Sequence, residues 1–244
     1  MPQRADIALV DRGFFESRAK ARAAIEAGLV RVDGAQVRKP SEPVSEDAQI
    51  EATAPHPWVS RAGLKLVGGL DHFGVDPQGR ICMDVGSSTG GFTQVLLSRG
   101  AERVYAVDVG RDQLHASLRG EARVRVMEST DARSLKASMI EPAPSLIVCD
   151  ASFISLRLVL PTPLELATQR ADLIALIKPQ FEAGRARVKK GVVRDADVHA
   201  EVCEHIQLFL EGLGWRVRGL IPSPIDGGDG NREFLIAATR GDQT

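Results

Sequence analysis

Residues 81–93, Ile81-Cys82-Met83-Asp84-Val85-Gly86-Ser87-Ser88-Thr89-Gly90-Gly91-Phe92-Thr93, read as an apolar strand that ends in a carboxylate and passes through a glycine-rich turn into a helix. A strand, turn and helix in this order are where an open, doubly wound α/β sheet binds a nucleotide-like cofactor. The glycine spacing is G-x-x-x-G-G. It is neither the dinucleotide pattern G-x-G-x-x-G nor the phosphate loop, because no Lys follows Gly91. Asp84 at the strand tip would repel a pyrophosphate and attract a cationic amine or sulfonium, so the expected cofactor is positively charged at its middle.

Downstream, strand patterns at 104–109, 124–128, 146–150, 172–178, 215–222 and 233–239 alternate with helix patterns after Gly91, Asp112, Ser155 and Asp197, with a further candidate after Ser134. This alternation predicts a mostly parallel sheet, closed at one edge by an antiparallel hairpin of the last two strands. The glycine turn offers Gly86, Ser88, Gly90, Gly91 and Phe92 to the cofactor. Asp108, 22 residues beyond Gly86, stands where an acidic side chain accepts hydrogen bonds from ribose hydroxyls. Asp131 follows the third strand, placed to receive an adenine amino group or to cap a helix.

The fourth and fifth strands end in Asp150 and Lys178. A Lys at the end of an apolar strand is costly to bury unless it is paired. One reading makes it a structural ion pair with Asp150 or Glu182; the other puts it in a reactive crevice with Glu233, which opens the last strand. Lys65 lies beside the apolar stripe Val59, Ala62, Leu66, Leu70 and Phe73 of an earlier helix pattern. After Lys178, the residues Arg185, Arg187, Lys189, Lys190 and Arg194 cluster without an acidic neighbour, as a solvated loop or a phosphate-gripping surface.

Upstream, residues 1–54 form a separate head. Ser17 is an N-cap, Ala21, Ala24 and Ile25 an apolar stripe, and Gly28 a stop; Leu29 to Val32, the Asp33-Gly34 pair, and Gln36 and Val37 then read as a tight hairpin. Between Arg18 and Lys39, six cations face two carboxylates in a chain whose formal charge is -1. Arg18, Lys20, Arg22 and Arg31 are therefore the expected phosphate contacts, against the alternative of a solvated helix face. Residues 55–60, with Pro55 and Pro57, read as a linker in which Trp58 either stacks on a base or packs at a hinge, and 61–244 as the larger domain.

With 244 residues, 43% hydrophobic and 26% charged, the chain has material for one α/β core plus a small appendage. The longest strongly apolar run, Leu173–Ile177, is far too short to span a bilayer, and the N-terminal stretch lacks the apolar core of a secretory signal, so a cytoplasmic protein is expected. Cys82, Cys149 and Cys203 lack the spacing of a metal site or a disulfide framework, and no metal is expected.

Several of these stretches resemble known families. Arg18-x-x-x-Arg22 on a helix, followed by Gly28, Val30-Arg31-Val32 and Asp33-Gly34, resembles the S-four RNA-binding domain, whose helix and adjoining strand grip structured RNA. Three carboxylates after three successive strands resemble the S-adenosylmethionine site of Rossmann-type methyltransferases. Lys65, Asp150, Lys178 and Glu233, in that order, resemble the Lys-Asp-Lys-Glu tetrad of the FtsJ-type ribose 2'-O-methyltransferases, and residues 84–92 their glycine loop, with Thr89 where many have Pro. With SRAGLKL (60–66), DASFISL (150–156) and KPQFE (178–182), the chain resembles the TlyA family, two-domain enzymes that methylate cytidine ribose in ribosomal RNA and are often labelled hemolysins. His56-Pro57-Trp58-Val59 departs from members that carry an Arg before the Trp.

The resemblance implies a Rossmann-like doubly wound α/β methyltransferase sheet with a small N-terminal α+β S-four-like domain, S-adenosylmethionine as cofactor, and ribosomal RNA or a ribosomal subunit as partner. It implies Lys178 as steering group or base at the 2'-hydroxyl, Asp150 and Glu233 orienting it, and Lys65 as a positive charge at the target. The short head and the short tail after Thr239 resemble compact members associated with the large subunit. Three other readings compete. A non-catalytic RNA-binding or ribosome-assembly factor comes first, then a nicotinamide oxidoreductase, which the glycine spacing and Asp84 disfavour. A secreted hemolysin ranks last, for want of a signal segment or a membrane-length run.

Overall fold

Ser17 caps a helix in the computed structural model of the chain, which describes residues 2–241 apart from the Arg185 side chain. The head runs through β1 (Gln3–Arg4), α1 (Ala5–Asp11), α2 (Arg18–Glu26), β2 (Val30–Val32), β3 (Ala35–Gln36), β4 (Pro43–Val44) and β5 (Ile50–Ala52). The Ser17 hydroxyl accepts the Lys20 N–H, satisfying one of the free donors at the start of α2. Asp33 and Gly34, both at positive φ, turn the chain between antiparallel β2 and β3, as the Asp-Gly pair predicts. Two features lie outside the sequence expectation: β5 pairs with the other edge of β2, and β1 pairs with β4. Strands of two or three residues carry no readable period. Leu9, Ile25, Val30 and Val44 centre the core under α1 and α2.

The chain divides into two compact units after Pro57. The second contains α3 (Ala62–Phe73), β6 (Ile81–Val85), α4 (Gly91–Ser98), β7 (Arg103–Val107), α5 (Ala116–Arg119), β8 (Val124–Met127), β9 (Leu146–Cys149), α6 (Leu156–Val159), α7 (Pro161–Glu165), β10 (Ala171–Ile177), α8 (Pro179–Glu182), α9 (Ala196–Gly212), β11 (Arg216–Pro222) and β12 (Phe234–Arg240). Seven strands form one sheet in the order β11-β12-β10-β9-β6-β7-β8. The five strands from β10 to β8 are parallel; β12 runs antiparallel to both β10 and β11. Every residue of β10 is buried, as expected of a strand covered on both faces. One core lies on each face of the sheet, and Trp58 and Val59, from the stretch read as linker, pack against the core that contains Leu66 and Phe92.

The helix expected after Ser134 is absent. Two short 3-10 turns, Ala132–Ser134 and Ala137–Met139, replace it, and Pro142 and Pro144 beyond them withhold the N–H donors that a longer helix needs. The helix expected after Asp112 shrinks to the single turn of α5. Among the described residues no helix is long and apolar enough to cross a membrane.

The antiparallel course of β12 joins two distant parts of the chain. Phe234 pairs with Ile177, so the start of β12 lies beside the end of β10, and Glu233 reaches the edge of the sheet where Lys178 emerges.

A head with so small a core has little stability in reserve. Leu9→Ala should cost about 2–5 kcal/mol, the usual range for a buried Leu truncation. Hydrogen exchange is expected to show α1 and α2 losing protection while β6 and β10 keep theirs.

Candidate active site

Beyond β6 the chain builds β7 and β8 on one side of the sheet, then returns to build β9 and β10 on the other. Such a reversal opens a crevice outside the carboxyl ends of the two central strands. Gly86 and Ala151 meet in it. Gly86 has φ +81°, and a Cβ there would lie 2.9 Å from the Ala151 Cα and 3.1 Å from the Asp150 carbonyl carbon, so only glycine fits. Gly91 serves the neighbouring contact, because a Cβ would press on Ser60 and on the Gly63 nitrogen at 3.1 Å. Gly90, at φ +93°, is the N-cap of α4.

The next loop is tied to the glycine turn. Asp108 Oδ2 accepts the Ser88 N–H at 2.8 Å and Oδ1 accepts the Gly110 N–H at 2.7 Å. Around this staple lies a cavity of about 600 Å³ whose walls include Gly86, Ser88, Asp108, Gly110, Asp131 and Asp150. A smaller cavity of about 260 Å³ shares Gly86, Ser88, Asp150 and Ser152 with it and adds Lys65 and Lys178. The carboxylates expected for a ribose and an adenine thus line the large cavity, and the two lysines line the small one.

Asp84 takes a different place from the one its strand-tip position suggests. It is fully buried beneath the loop, where the Thr93 hydroxyl donates to it at 2.7 Å, and it lines neither cavity. Burial pushes its carboxyl up to about 7. The carboxylates that line the large cavity are those of Asp108, Asp131 and Asp150. Phe92 is also mainly a core residue, with one face on the small cavity. Asp131 caps the Ala132–Ser134 turn and pairs with Arg133 at 2.6 Å, which holds its carboxyl below the usual range.

Lys178 Nζ sits 2.7 Å from Asp150 Oδ1 and donates to Ser152 Oγ at 2.7 Å and to the Asp150 carbonyl at 3.4 Å. Lys65 Nζ donates to Glu233 Oε2 at 2.5 Å. Lys65, Glu233 and Lys178 are buried, and Asp150 is partly exposed. Glu233 therefore orients Lys65 rather than Lys178, a correction that follows from helix packing. Gly69 lets α3 lie close on Ile174 and Leu235, which carries Lys65 over the start of β12, while Gly227 leaves room for the Glu233 carboxylate. Glu182, the alternative partner of Lys178, accepts instead from the Ser155 hydroxyl and the Leu156 N–H.

Three contributors carry no signal of their own in the sequence pattern. Ser152 holds the Lys178 ammonium, and its two-residue distance from Asp150 does not mark it. Glu128 accepts the N–H groups of Asp112, Gln113 and Leu114, ordering the loop that walls the large cavity; these bonds, the Leu114 one foremost, lower its pKa. By pattern it is only the tail of a strand. Phe153 is 91% exposed on left-handed backbone, lines the large cavity and has its ring centroid 5.1 Å from that of Phe181.

The expected RNA contacts divide differently. Arg18 and Arg22 both bond Asp6, Lys20 pairs with Glu16, and Arg31 donates to the Gly34 carbonyl. In the second cluster Arg187 pairs with Glu201 from α9, a carboxylate that the loop sequence alone does not offer, while Lys189 and Lys190 are exposed. The Arg185 side chain lies outside the described residues. Buried Asn231 ties this loop to the one carrying Glu233, donating to the Gly191 and Gly228 carbonyls and accepting the Val193 N–H.

The FtsJ-like methyltransferase family matches residues 58–240 and the S4 domain residues 3–50. The 16S/23S rRNA (cytidine-2'-O)-methyltransferase TlyA of Mycobacterium tuberculosis is 44% identical, over 96% of this chain and 88% of its own length. Hemolysin A of Brachyspira hyodysenteriae is 38% identical, over 91% of this chain and 94% of its own. A solved structure from Streptococcus thermophilus that carries a hemolysin label superposes with a TM-score of 0.78 at 39% identity, covering 99% of this chain and 90% of that one.

Asp84 gives a stability test with a defined sign. Its pKa is raised to about 7 by folding, so between about pH 4 and pH 7 the native state holds a proton that the unfolded state has lost, and stability falls as pH rises through that window. Asp84→Asn cannot ionise. Denaturant midpoints are expected to show the variant gaining on the parent from pH 4 to pH 7 and holding a constant difference above; parallel profiles would refute the buried, proton-bearing carboxyl.

Proposed function

The chain belongs to the TlyA family, whose larger domain is an FtsJ-like, S-adenosylmethionine-dependent methyltransferase, and we propose that it transfers the methyl group of that cofactor to the 2'-hydroxyl of a cytidine ribose in ribosomal RNA. The observation that carries this reading is the two ion pairs, Lys178 with Asp150 and Lys65 with Glu233, whose lysines line a small cavity that shares a wall with a large one. A methyltransferase needs two such chambers, one for the methyl donor and one for the acceptor.

The large cavity suits the cofactor. Asp108 and Asp131 supply acceptors for ribose hydroxyls and an adenine amine, Gly86 lets the segments after β6 and β9 approach closely, and Asp150 lies on the wall shared with the lysines. When bound, the cofactor supplies a methyl group already activated by its sulfonium. What remains for the chain is alignment and help with one proton.

Lys178 acts at the 2'-hydroxyl as steering group or base, held in position by Asp150 and Ser152. Lys65, oriented by Glu233, supplies positive charge to the target ribose or its phosphate. The exposed Phe153 ring offers a flat face to a nucleobase unstacked from its neighbours. The head, with Arg18, Lys20, Arg22 and Arg31, grips the RNA, and the loop from Arg185 to Arg194 adds a second set of phosphate contacts. The natural substrate is ribosomal RNA presented within a subunit, in the cytoplasm.

Ribose methylation mapped on both subunits' RNA, from cells with and without this chain, tests the reading. Loss of a cytidine 2'-O-methyl group is expected; an unchanged map overturns it. At the level of the site, Lys178→Ala should leave cofactor and RNA binding intact while slowing single-turnover transfer about 100-fold to 10,000-fold, the usual worth of a positioned proton-transfer group. Lys178→Arg should not restore the rate, because a guanidinium keeps its proton and has another shape. A purely structural ion pair gives the opposite pattern: the Arg variant stays active and the Ala variant melts early.

A further inference from the structure

Beyond the sheet, two loops of the site are fastened to each other side chain by side chain. β9 and β10 are last paired at Cys149 and Ala175, so residues 150–156 and 178–182 continue without a ladder between them. Nearest the strands, Lys178 Nζ meets Asp150 Oδ1 and Ser152 Oγ, each at 2.7 Å. Further out, the Phe153 and Phe181 rings lie with centroids 5.1 Å apart, tilted by 47°. Last, Glu182 Oε2 accepts the Ser155 hydroxyl at 2.5 Å and Oε1 accepts the Leu156 N–H at 2.7 Å.

Glu182 lines neither the large cavity nor the small one. Its charge, close to a surface that meets RNA, counts against binding. Nor does α6 depend on it for a cap, because the Ser155 side chain accepts the Arg157 N–H at 3.2 Å. What Glu182 does hold is the far end of the segment that carries Phe153.

That segment needs holding. Phe153 has φ +64° and is 91% exposed. A bulky residue keeps left-handed backbone only where its surroundings over-determine it, and solvent around a ring determines nothing. Asp150 fixes the chain before Phe153, and Ser155 and Leu156, through Glu182, fix it after. The ring is thereby kept between the large cavity and a further one of about 740 Å³, which Leu158, Gln180 and Phe181 also line.

From the reading of Phe153 as a face for a nucleobase, we infer that Glu182 is a positioning residue for the hold on RNA. Its two hydrogen bonds set the Phe153 ring where the base meets it. Lys178, held separately by Asp150 and Ser152, keeps the chemical step. A carboxylate that on charge alone opposes RNA thus favours it through geometry.

Two conservative substitutions separate reach from charge. Glu182→Gln removes the charge and keeps both bonds, since its amide oxygen accepts the Leu156 N–H and its amide nitrogen donates to the Ser155 oxygen. Glu182→Asp keeps the charge and is one methylene too short to serve both donors. Methyl transfer is measured at steady state on ribosomal subunits from cells lacking this chain, with S-adenosylmethionine affinity as a control. Stacking of a base on an aromatic ring is worth about tenfold in binding, and a misplaced ring forfeits part of it. Glu182→Asp should therefore raise KM for the subunit about threefold to tenfold, with kcat and cofactor affinity unchanged, and Glu182→Gln should keep the parent KM. An Asp variant with the parent KM, or a Gln variant impaired as much as the Asp one, overturns the inference. So does a loss confined to kcat.

A double-mutant cycle tests the route through Phe153 even where Glu182→Asp lowers the melting temperature. Phe153→Ala should raise KM about tenfold, and adding Glu182→Asp should raise it no further, because no ring is left to position. Losses that multiply overturn the inference while leaving the nucleobase reading intact. A Phe153→Ala enzyme with the parent KM overturns the nucleobase reading itself.

Discussion

Two backbones meet too closely at residue 86 for any side chain to stand between them. The end of β6 and the start of the segment after β9 approach until a Cβ on Gly86 would lie 2.9 Å from the Ala151 Cα. This contact fixes where the sheet reverses, and the rest of the site is arranged about it. Asp150 is held beside the glycine turn by its own N–H, which donates to the Val85 carbonyl at 3.0 Å. Lys178 then finds Asp150 at the end of the adjacent strand, and Asp108 binds the turn from the other side. Sterics thus set the position of the crevice, while polar contacts set its lining.

The lining is electrostatically demanding. Two ammonium groups and two carboxylates are withdrawn from most of their water, and each ion survives there because a partner lies within 2.7 Å. Replacing such pairs by apolar residues often leaves a protein no less stable, so their presence is better explained by chemistry than by stability. The pairing also separates roles. Lys178 is paired with Asp150 on the wall shared by both cavities, whereas Lys65 is committed to a carboxylate delivered by another strand, so the two cations of the small cavity are positioned independently.

Much of this is legible in the chain. The apolar runs of β6, β7, β9 and β10 are long enough to show their period, and the glycine turn announces the crevice. The four members of the charged constellation are readable as residues, since a Lys ending an apolar strand is out of place on its own. Their pairing is not, because it depends on how α3 lies across β10 and β12, a matter of tertiary packing that Gly69 decides and no local pattern encodes. Asp84 departs from its expected place for a similar reason: at a strand tip a carboxylate points up or down according to its neighbours, and Thr93, one turn into α4, draws it down. In the head, cations that form a patch along the sequence are sorted in space by a single carboxylate, Asp6, that lies outside the cationic stretch.

The insertion of β12 between β10 and β11 bears on the order in which the molecule is made. Lys65 and Glu233 are 168 residues apart in sequence, and the strand that carries Glu233 to the site is synthesised after every other strand of the sheet. Contacts of such long range form late and slow the folding of the sheets that need them. While the chain is still growing, β10 and β11 lack the neighbour that belongs between them, and their unpaired edges are open to pairing elsewhere. The charged constellation therefore cannot assemble piecemeal during translation: Lys65 stays without its carboxylate until β12 has left the ribosome and closed the sheet.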